Sequence, residues 1–273
     1  MSREREAYMP PELVLQVLEH AKADVVLIGG QALAFWMGYY GIESPSGIAS
    51  AVSRDVDFFT PDAANTAPLE RFAGALGGRV ELSAPHTLSA LIGSATAPAE
   101  EEGRVYNVDL VHRVIGIDRD SIEANAVSVQ LTEDGATIRI MHPLDVLQSR
   151  NANLHTLAEK RDAIGQWQFR LSIDVARAYL IEQLDSIDAD EVSTAQERHR
   201  AVFDMIAVVS EYAREDAARK NAERYGIFLA DAIPAWRIEA EVFWKKQWPH
   251  LRGRMSAEYA ARCEALAGRS GAD

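Results

Sequence analysis

The stretch SRDVDFF (residues 53–59) contains two aspartates separated by one apolar residue. Because successive side chains of a strand point to opposite faces, Asp55 and Asp57 share one face of this strand while Val56 and Phe58 pack behind them. Two parallel carboxylates repel each other unless a cation lies between them, and a ligand set made only of oxygen atoms suits Mg²⁺ or Mn²⁺. The stretch therefore predicts a divalent-cation site on one face of a sheet.

An apolar run and a pair of glycines precede this motif. Val25–Ile28 is short and rich in β-branched residues, which is typical of a buried strand, and Gly29 and Gly30 follow it directly. A glycine turn leaves backbone amides bare, so that they can approach a phosphate. Together with the two aspartates, the glycine pair predicts a metal-dependent enzyme that handles a nucleoside triphosphate.

A third carboxylate is expected on a neighbouring strand. Asp109 lies in the run YNVDLV (residues 106–111), where the flanking valine and leucine residues indicate a buried strand. Charged residues are rarely buried without a partner, so Asp109 is the best candidate for a third metal ligand. The alternative is an acid at the end of a strand that caps a turn or pairs with Arg113.

Composition places the chain among ordinary globular proteins. Its 273 residues leave room for two modest cores, and 48% hydrophobic with 25% charged residues is an unexceptional balance. The net charge of −13 disfavours a general nucleic-acid coat protein, although a local basic patch could still contact an RNA end. The single cysteine, Cys263, excludes an intrachain disulfide, so we expect a reducing compartment and a cytoplasmic location.

One apolar segment approaches the length of a membrane span. Val25–Ile42 contains no charged residue, but its glycine pair lies near the middle and it leads into the acidic strand. A strand, a glycine turn and a buried helix explain this segment better. The N-terminal residues also lack the basic and then apolar pattern of a signal peptide. We therefore expect no membrane partner.

The pattern of apolar residues changes near residue 140. Before it, strand and helix patterns alternate, and residues 128–131 and 137–140 bracket the turn Glu133-Asp134-Gly135 as a β-hairpin. From Pro143 onward only helical patterns occur. These observations predict an α+β fold in two domains, with a mixed sheet and flanking helices over residues 1–140 and an all-helical half over residues 141–273.

The order of these elements resembles the signature of the DNA polymerase β-like nucleotidyltransferase superfamily. A strand is followed by Gly29-Gly30, a helix, a loop, Asp55-x-Asp57 and a later strand with Asp109. Within it, the chain is similar to the AbiEii-type branch, which is found in toxin–antitoxin and phage-defence systems. The resemblance covers residues 23–165, and the rest of the chain adds little to it. It implies a nucleotidyltransferase-like sheet and a magnesium-dependent transferase that binds ATP or another NTP.

The resemblance also implies a role for each residue of the motif. Gly29 and Gly30 would form the turn that holds the triphosphate through backbone amides. Asp55 and Asp57 would bind the catalytic Mg²⁺ (or Mn²⁺), and Asp109 would hold the metal beside the attacking hydroxyl and take its proton. The reaction would be an in-line attack on the α-phosphate, with pyrophosphate as the leaving group.

Two arginines of the helical half fall within an apolar arc. On a helical projection, Arg150 and Arg161 lie among five apolar residues, which are Val146, Leu147, Leu154, Leu157 and Ile164. A guanidinium on a core-facing stripe needs an anion. Two sources remain open: a structural carboxylate such as Asp174 or Asp145, or the phosphates of the nucleotide.

Lys160 belongs to the stretch Lys160-Arg161-Asp162, which is similar to a basic stretch that AbiEii-like proteins carry after the third acid. The resemblance therefore implies that Lys160, like Arg150 and Arg161, contacts the phosphates of the nucleotide.

The C-terminal part interleaves aromatic with basic residues. Such a pattern can stack nucleic-acid bases, but a packed helix with a charged rim is the more common explanation. The residues concerned are Trp236, Phe243, Trp244 and Trp248, with Lys245, Lys246, Arg252 and Arg254 beside them.

The leading hypothesis is a Mg²⁺-dependent nucleotidyltransferase that moves a nucleoside monophosphate from an NTP to a hydroxyl of an RNA 3′ end or of a protein. A cognate antitoxin or toxin would be its partner. The alternative is a catalytically inactive nucleotide- or partner-binding module on the same fold. A metal-dependent hydrolase would need further ligands, which the spacing of the acidic residues does not supply.

Overall fold

The first part of the chain forms a seven-stranded mixed sheet. A computed structural model describes residues 6–43, 54–84, 89–131, 136–190 and 193–269. The strands are β1 (Val26–Ile28), β2 (Val56–Phe59), β3 (Arg79–Leu82), β4 (Leu91–Pro98), β5 (Val105–Val111), β6 (Val127–Gln130) and β7 (Thr137–Ile140). Their order across the sheet is β3-β4-β5-β2-β1-β7-β6. The predicted α+β fold with a mixed sheet is therefore confirmed at this level.

Neighbouring strands around the acidic residues are antiparallel, except for β2 and β5, which carry Asp57 and Asp109. β2 runs parallel to β5, whereas β1 is antiparallel to β2 and β4 is antiparallel to β5. At the other side, β1 is parallel to β7, and β6 and β7 form the predicted hairpin. The turn predicted at residues 133–135 lies outside the described residues.

Five helices accompany these strands in the sequence. They are α1 (Pro11–Glu19), α2 (Gly29–Tyr39), α3 (Ala67–Leu76), α4 (Arg119–Asn125) and α5 (Pro143–Thr156). The segment Val25–Ile42 thus contains a strand followed by a helix, as predicted. No helix within the described ranges has both the length and the apolar character needed to cross a membrane.

The core of the sheet explains why the acidic strand is so apolar. Val56 and Phe58 are fully buried, and the Phe58 ring stacks on Phe72 of α3 with the ring centroids 4.5 Å apart. Because side chains alternate along a strand, this packing turns Asp57 toward the opposite face. The predicted separation of apolar and acidic faces is confirmed.

The described part of the remaining chain contains helices, turns and loops but no strand. Its helices are α6 (Ala163–Asp188), α7 (Ala195–Tyr212), α8 (Asp216–Tyr225), α9 (Trp248–Arg252) and α10 (Ala257–Leu266), and a π-helical turn spans Phe243–Gln247. Asp162 caps α6 by accepting a hydrogen bond from the Gly165 amide. A capping box between Thr194 and Glu197 begins α7.

The chain divides into two compact units. The first comprises Met1–Tyr39 with Glu43–Ser149, and the second comprises Tyr40–Ile42 with Arg150–Asp273. The predicted boundary at residue 140 marks the end of the last strand, β7. The division itself falls later, inside α5, because this helix continues from the first unit into the second.

Candidate active site

Four neighbouring strands of the first unit carry a transverse row of residues. Ser94 of β4 lies opposite Asp109 of β5, Asp109 lies opposite Asp57 of β2, and Asp57 lies opposite Ile28 of β1. Paired residues of neighbouring strands project to the same face of a sheet. The row therefore brings Asp57 and Asp109 side by side and places Gly29, which follows Ile28, at the end of the row.

The structure brings together the three predicted acidic residues. One carboxylate oxygen from each of Asp55, Asp57 and Asp109 can be chosen such that all three lie within 4.8 Å of one another, and each residue is half-buried. Asp55 joins the other two because it is two residues before Asp57 and so shares its face. β2, the residue immediately before it and β5 thus supply three carboxylates to one small volume.

Asp109 is held by two hydrogen bonds to the same oxygen atom. The Ser94 hydroxyl donates to Oδ1 of Asp109 at 2.5 Å, and the Asn107 amide donates to the same atom at 2.9 Å. Both donors are buried. Because both bonds engage Oδ1, Oδ2 is the atom left for another ligand. The sequence had also allowed Asp109 to cap a turn or to pair with Arg113. The hydrogen bonds from Ser94 and Asn107 correspond to neither of these alternatives.

Burial raises the pKa of the Asp109 carboxyl above its usual value of 3.8. The hydrogen bonds from Ser94 and Asn107 oppose this shift because they stabilise the charged form, and the nearby negative charge of Asp55 adds to it. The shift has the direction expected for an acid that is paired with other acids in a half-buried site. A bound cation would stabilise the charged form of all three residues.

The backbone at Gly29 has a conformation and an environment that only glycine fits. Its φ is +71°, and a β-carbon at this position would lie 2.1 Å from Oδ2 of Asp57. Gly29 is also the first residue of α2, whose first backbone N–H groups have no acceptor within the helix. Gly30 is buried within the first turn of α2, so the predicted glycine turn is the start of a helix.

The residues present fit a hard divalent cation. The three ligands are carboxylates, which are the oxygen donors that Mg²⁺ and Mn²⁺ prefer, and among the described residues no histidine or cysteine belongs to this cluster.

The prediction of one apolar arc for Arg150 and Arg161 is only partly correct. Arg150 is buried, and its Nη1 donates to Oε1 of Gln168 at 3.0 Å, so a neutral amide accepts one hydrogen bond from a guanidinium for which an anion was predicted. Of the two carboxylates considered, Asp174 pairs with Arg177 at 2.7 Å and Asp145 accepts a hydrogen bond from Asn125.

Arg161 does not belong to the arc because α5 ends at Thr156. A short 3₁₀ turn over Ala158–Lys160 separates α5 from α6, and Arg161 is exposed with its Nη2 donating to the His155 carbonyl at 2.7 Å. Lys160 is half-buried at the end of that turn. Arg150, Lys160 and Arg161 all belong to the second unit, and their contact with phosphates stays a prediction.

The aromatic residues singled out near the C-terminus are mostly core residues. Phe243, Trp244 and Trp248 are buried, and the indole N–H of Trp244 donates to the Ile238 carbonyl at 2.7 Å. The indole N–H of Trp248 donates to Glu264 at 3.0 Å. Of the two explanations that the sequence left open, a packed segment with a charged rim is confirmed for these three rings.

Sequence reasoning missed Ser94 and Asn107. No strand was predicted at residues 91–98, so Ser94 was not considered as a neighbour of Asp109. Asn107 could have been found from spacing alone, since it lies two residues before Asp109 on the same predicted strand and therefore on the same face.

Comparisons of the chain with protein-family models, with curated proteins and with solved structures find no match.

Proposed function

We propose that the protein is a Mg²⁺-dependent nucleotidyltransferase that moves a nucleoside monophosphate from an NTP to a hydroxyl group. The observation that carries this proposal is the cluster of Asp55, Asp57 and Asp109, with one carboxylate oxygen of each within 4.8 Å of the others, next to a glycine that opens a helix. The order of these residues along the chain resembles that of the polymerase β-like superfamily, which supports the same reaction.

The reaction exchanges a phosphoanhydride bond of the NTP for a phosphoester bond to the acceptor. A lone pair of the acceptor hydroxyl forms a bond to the α-phosphorus, the bond from this phosphorus to the bridging oxygen of the β-phosphate breaks, and pyrophosphate leaves with that electron pair. The hydroxyl proton passes to a carboxylate. A divalent cation at Asp55, Asp57 and Asp109 supplies charge neutralisation to the entering and leaving oxygen atoms.

The role of Asp109 follows from its surroundings. Ser94 and Asn107 fix Oδ1, so the orientation of the carboxylate is set before a substrate binds. A carboxylate that is fixed in this way can accept a proton from a hydroxyl group placed within hydrogen-bond reach. Asp109 therefore suits the residue that orients the attacking hydroxyl and receives its proton.

The start of α2 suits the triphosphate. Backbone N–H groups at a helix N-terminus favour an anion, and the absence of a side chain at Gly29 lets the Asp57 carboxylate lie against the start of this helix. A phosphate bound to these amides would lie next to the carboxylate cluster, which needs a cation between itself and the phosphate. The glycine and the aspartates thus act on the same group of the substrate.

Pyrophosphate release tests the proposal. Wild-type protein is incubated with each NTP, Mg²⁺ and cellular RNA or protein as acceptor, beside Asp57→Ala and the control Asp120→Asn. Asp120 is an exposed acid of α4 that lies outside the cluster. Release that Asp57→Ala abolishes and Asp120→Asn retains supports the transferase. No release with any NTP, together with nucleotide binding that Asp57→Ala leaves unchanged, would favour the inactive binding module.

A further inference from the structure

The second unit has a groove made of two adjoining cavities. One has a volume of about 510 Å³ and lies against α8 and the end of α7, and the other has about 440 Å³ and lies against α7 and the π-helical turn. Arg214 and Arg254 line both of them. Each cavity is large enough for one nucleotide, since ligand pockets start at about 300 Å³.

The groove is basic although the chain carries a net charge of −13. Arg214 and Lys246 are exposed and form no ion pair within the described ranges, and Arg254 donates to the His250 carbonyl at 3.2 Å. Arg219 also lines the groove, but Glu223 neutralises it at 3.0 Å. The residues that line the groove therefore include three cations, Arg214, Lys246 and Arg254. Besides Glu223, they include one acid, Glu211.

Each cavity also contains one aromatic ring. Phe228 lines the larger cavity and Phe203 the smaller one, and both residues are half-buried. These rings differ from Trp244 and Trp248, which are buried in the core. Each cavity thus offers one ring on which a base can stack, and the two shared arginines can bind the phosphate between two bases. This arrangement matches the alternation of bases and phosphates along a nucleic-acid strand.

We propose that this groove binds a single-stranded nucleic-acid segment. One base stacks on Phe203 and the next on Phe228, while Arg214 and Arg254 bind the phosphate between them and Lys246 binds a flanking phosphate. Cations that follow the backbone, combined with rings that accept any base, are typical of binding without sequence preference. The inference rests on the proposed function and deepens it, because it makes a nucleic acid the acceptor.

Binding in the absence of metal separates the groove from the candidate active site. The fluorescence anisotropy of a labelled RNA of about 12 nucleotides is measured in EDTA at several salt concentrations, with wild type and the double variant Arg214→Ala/Lys246→Ala. Losing two phosphate contacts weakens binding about tenfold and reduces the slope of log K against log salt by about 1.4. Phe203→Ala weakens binding about tenfold through lost stacking.

The matched control is Arg200→Ala/Lys245→Ala, which removes the same two charges from the same unit. Both side chains are exposed, and neither lines a cavity of the groove. Equal losses in the two double variants, or no loss in Arg214→Ala/Lys246→Ala, would overturn the inference. Binding of AMP as tight as that of the oligonucleotide would also overturn it, because the ligand would then be a free nucleotide.

Failure of the groove and failure of the transferase give different results. The Asp57→Ala variant binds the oligonucleotide as wild type does if the inference is correct. Pyrophosphate release without oligonucleotide binding would contradict the groove alone. Oligonucleotide binding that requires Arg214 and Lys246, without pyrophosphate release, would contradict the transferase and leave a nucleic-acid-binding protein.

Discussion

Gly29 and Asp57 lie so close together that a β-carbon at position 29 would be 2.1 Å from Oδ2 of Asp57. The antiparallel pairing of β1 with β2 produces this proximity, because Ile28 is paired with Asp57 and Gly29 is the next residue. The start of α2 and the acidic cluster are therefore parts of one site. A side chain at position 29 would displace one of the three carboxylates.

The substitution Gly29→Ala is expected to inactivate the protein. A positive φ costs a residue with a β-carbon about 1–2 kcal/mol, and the displaced carboxylate of Asp57 reduces the transfer rate by about 100-fold or more. Thermal unfolding and pyrophosphate release measure the two effects. The control Gly38→Ala lies in the same helix with nothing near its β-carbon, so it should raise stability by about 0.5–1 kcal/mol and leave activity unchanged.

Replacing Asp109 by Asn is expected to stabilise the metal-free protein at neutral pH. Since the folded state raises the Asp109 pKa, the folded protein binds this proton more tightly than the unfolded chain does. The stability that this proton contributes is complete below the ordinary pKa of 3.8 and is lost as the pH rises through the raised pKa. Above that pH range the half-buried negative charge of Asp109 destabilises the folded state, and the substitution by Asn removes this charge.

Thermal unfolding of wild type and Asp109→Asn in EDTA measures this difference in stability. Asp109→Asn should raise the midpoint of thermal unfolding at pH 7, because the neutral amide avoids the cost of ionising a carboxyl whose pKa the folded state raises. The variant should also lose the further stabilisation that Mn²⁺ gives to wild type. A variant less stable than wild type in EDTA, or one that Mn²⁺ still stabilises, would contradict the role assigned to Asp109.

Ser94 and Asn107 are expected to act as positioning residues for the metal ligand. Ser94→Ala or Asn107→Ala removes one of the two hydrogen bonds to Oδ1 of Asp109 and should weaken Mn²⁺ binding by about 10-fold or more, as for other residues that orient metal ligands. Titration of Mn²⁺ by electron paramagnetic resonance measures the affinity. Ser83→Ala is the control, since the Ser83 hydroxyl donates to the Leu91 carbonyl within the same sheet. Equal affinities in Ser94→Ala and Ser83→Ala would show that orientation of Asp109 is unimportant.

The acidic cluster could be predicted because its signals are local. Alternation along β2 placed Asp55 and Asp57 on one face, and the apolar neighbours of Asp109 identified its strand. The glycine pair after β1 marked the start of α2 for the same reason. Short-range periodicity is sufficient when each residue of a site lies on a strongly patterned strand.

Two features could not be predicted in this way. β4 has the sequence LIGSATAP, which is poor in strand-forming residues, and it becomes a strand because β3 and β5 pair with it on both sides. Ser94 was missed as a consequence. The end of α5 at Thr156 was missed because no glycine or proline marks it, although Asp162 is a typical cap for the helix that follows.

A pair of labels tests the central claim most directly. Wild-type protein is incubated with Mg²⁺, cellular RNA and an NTP that carries radioactive phosphorus at either the α or the γ position. We expect label on the acceptor from the α-labelled NTP alone, and none when Asp57→Ala replaces wild type. Label from the γ-labelled NTP, or α-label transfer that Asp57→Ala retains, would contradict nucleotidyl transfer by the three carboxylates.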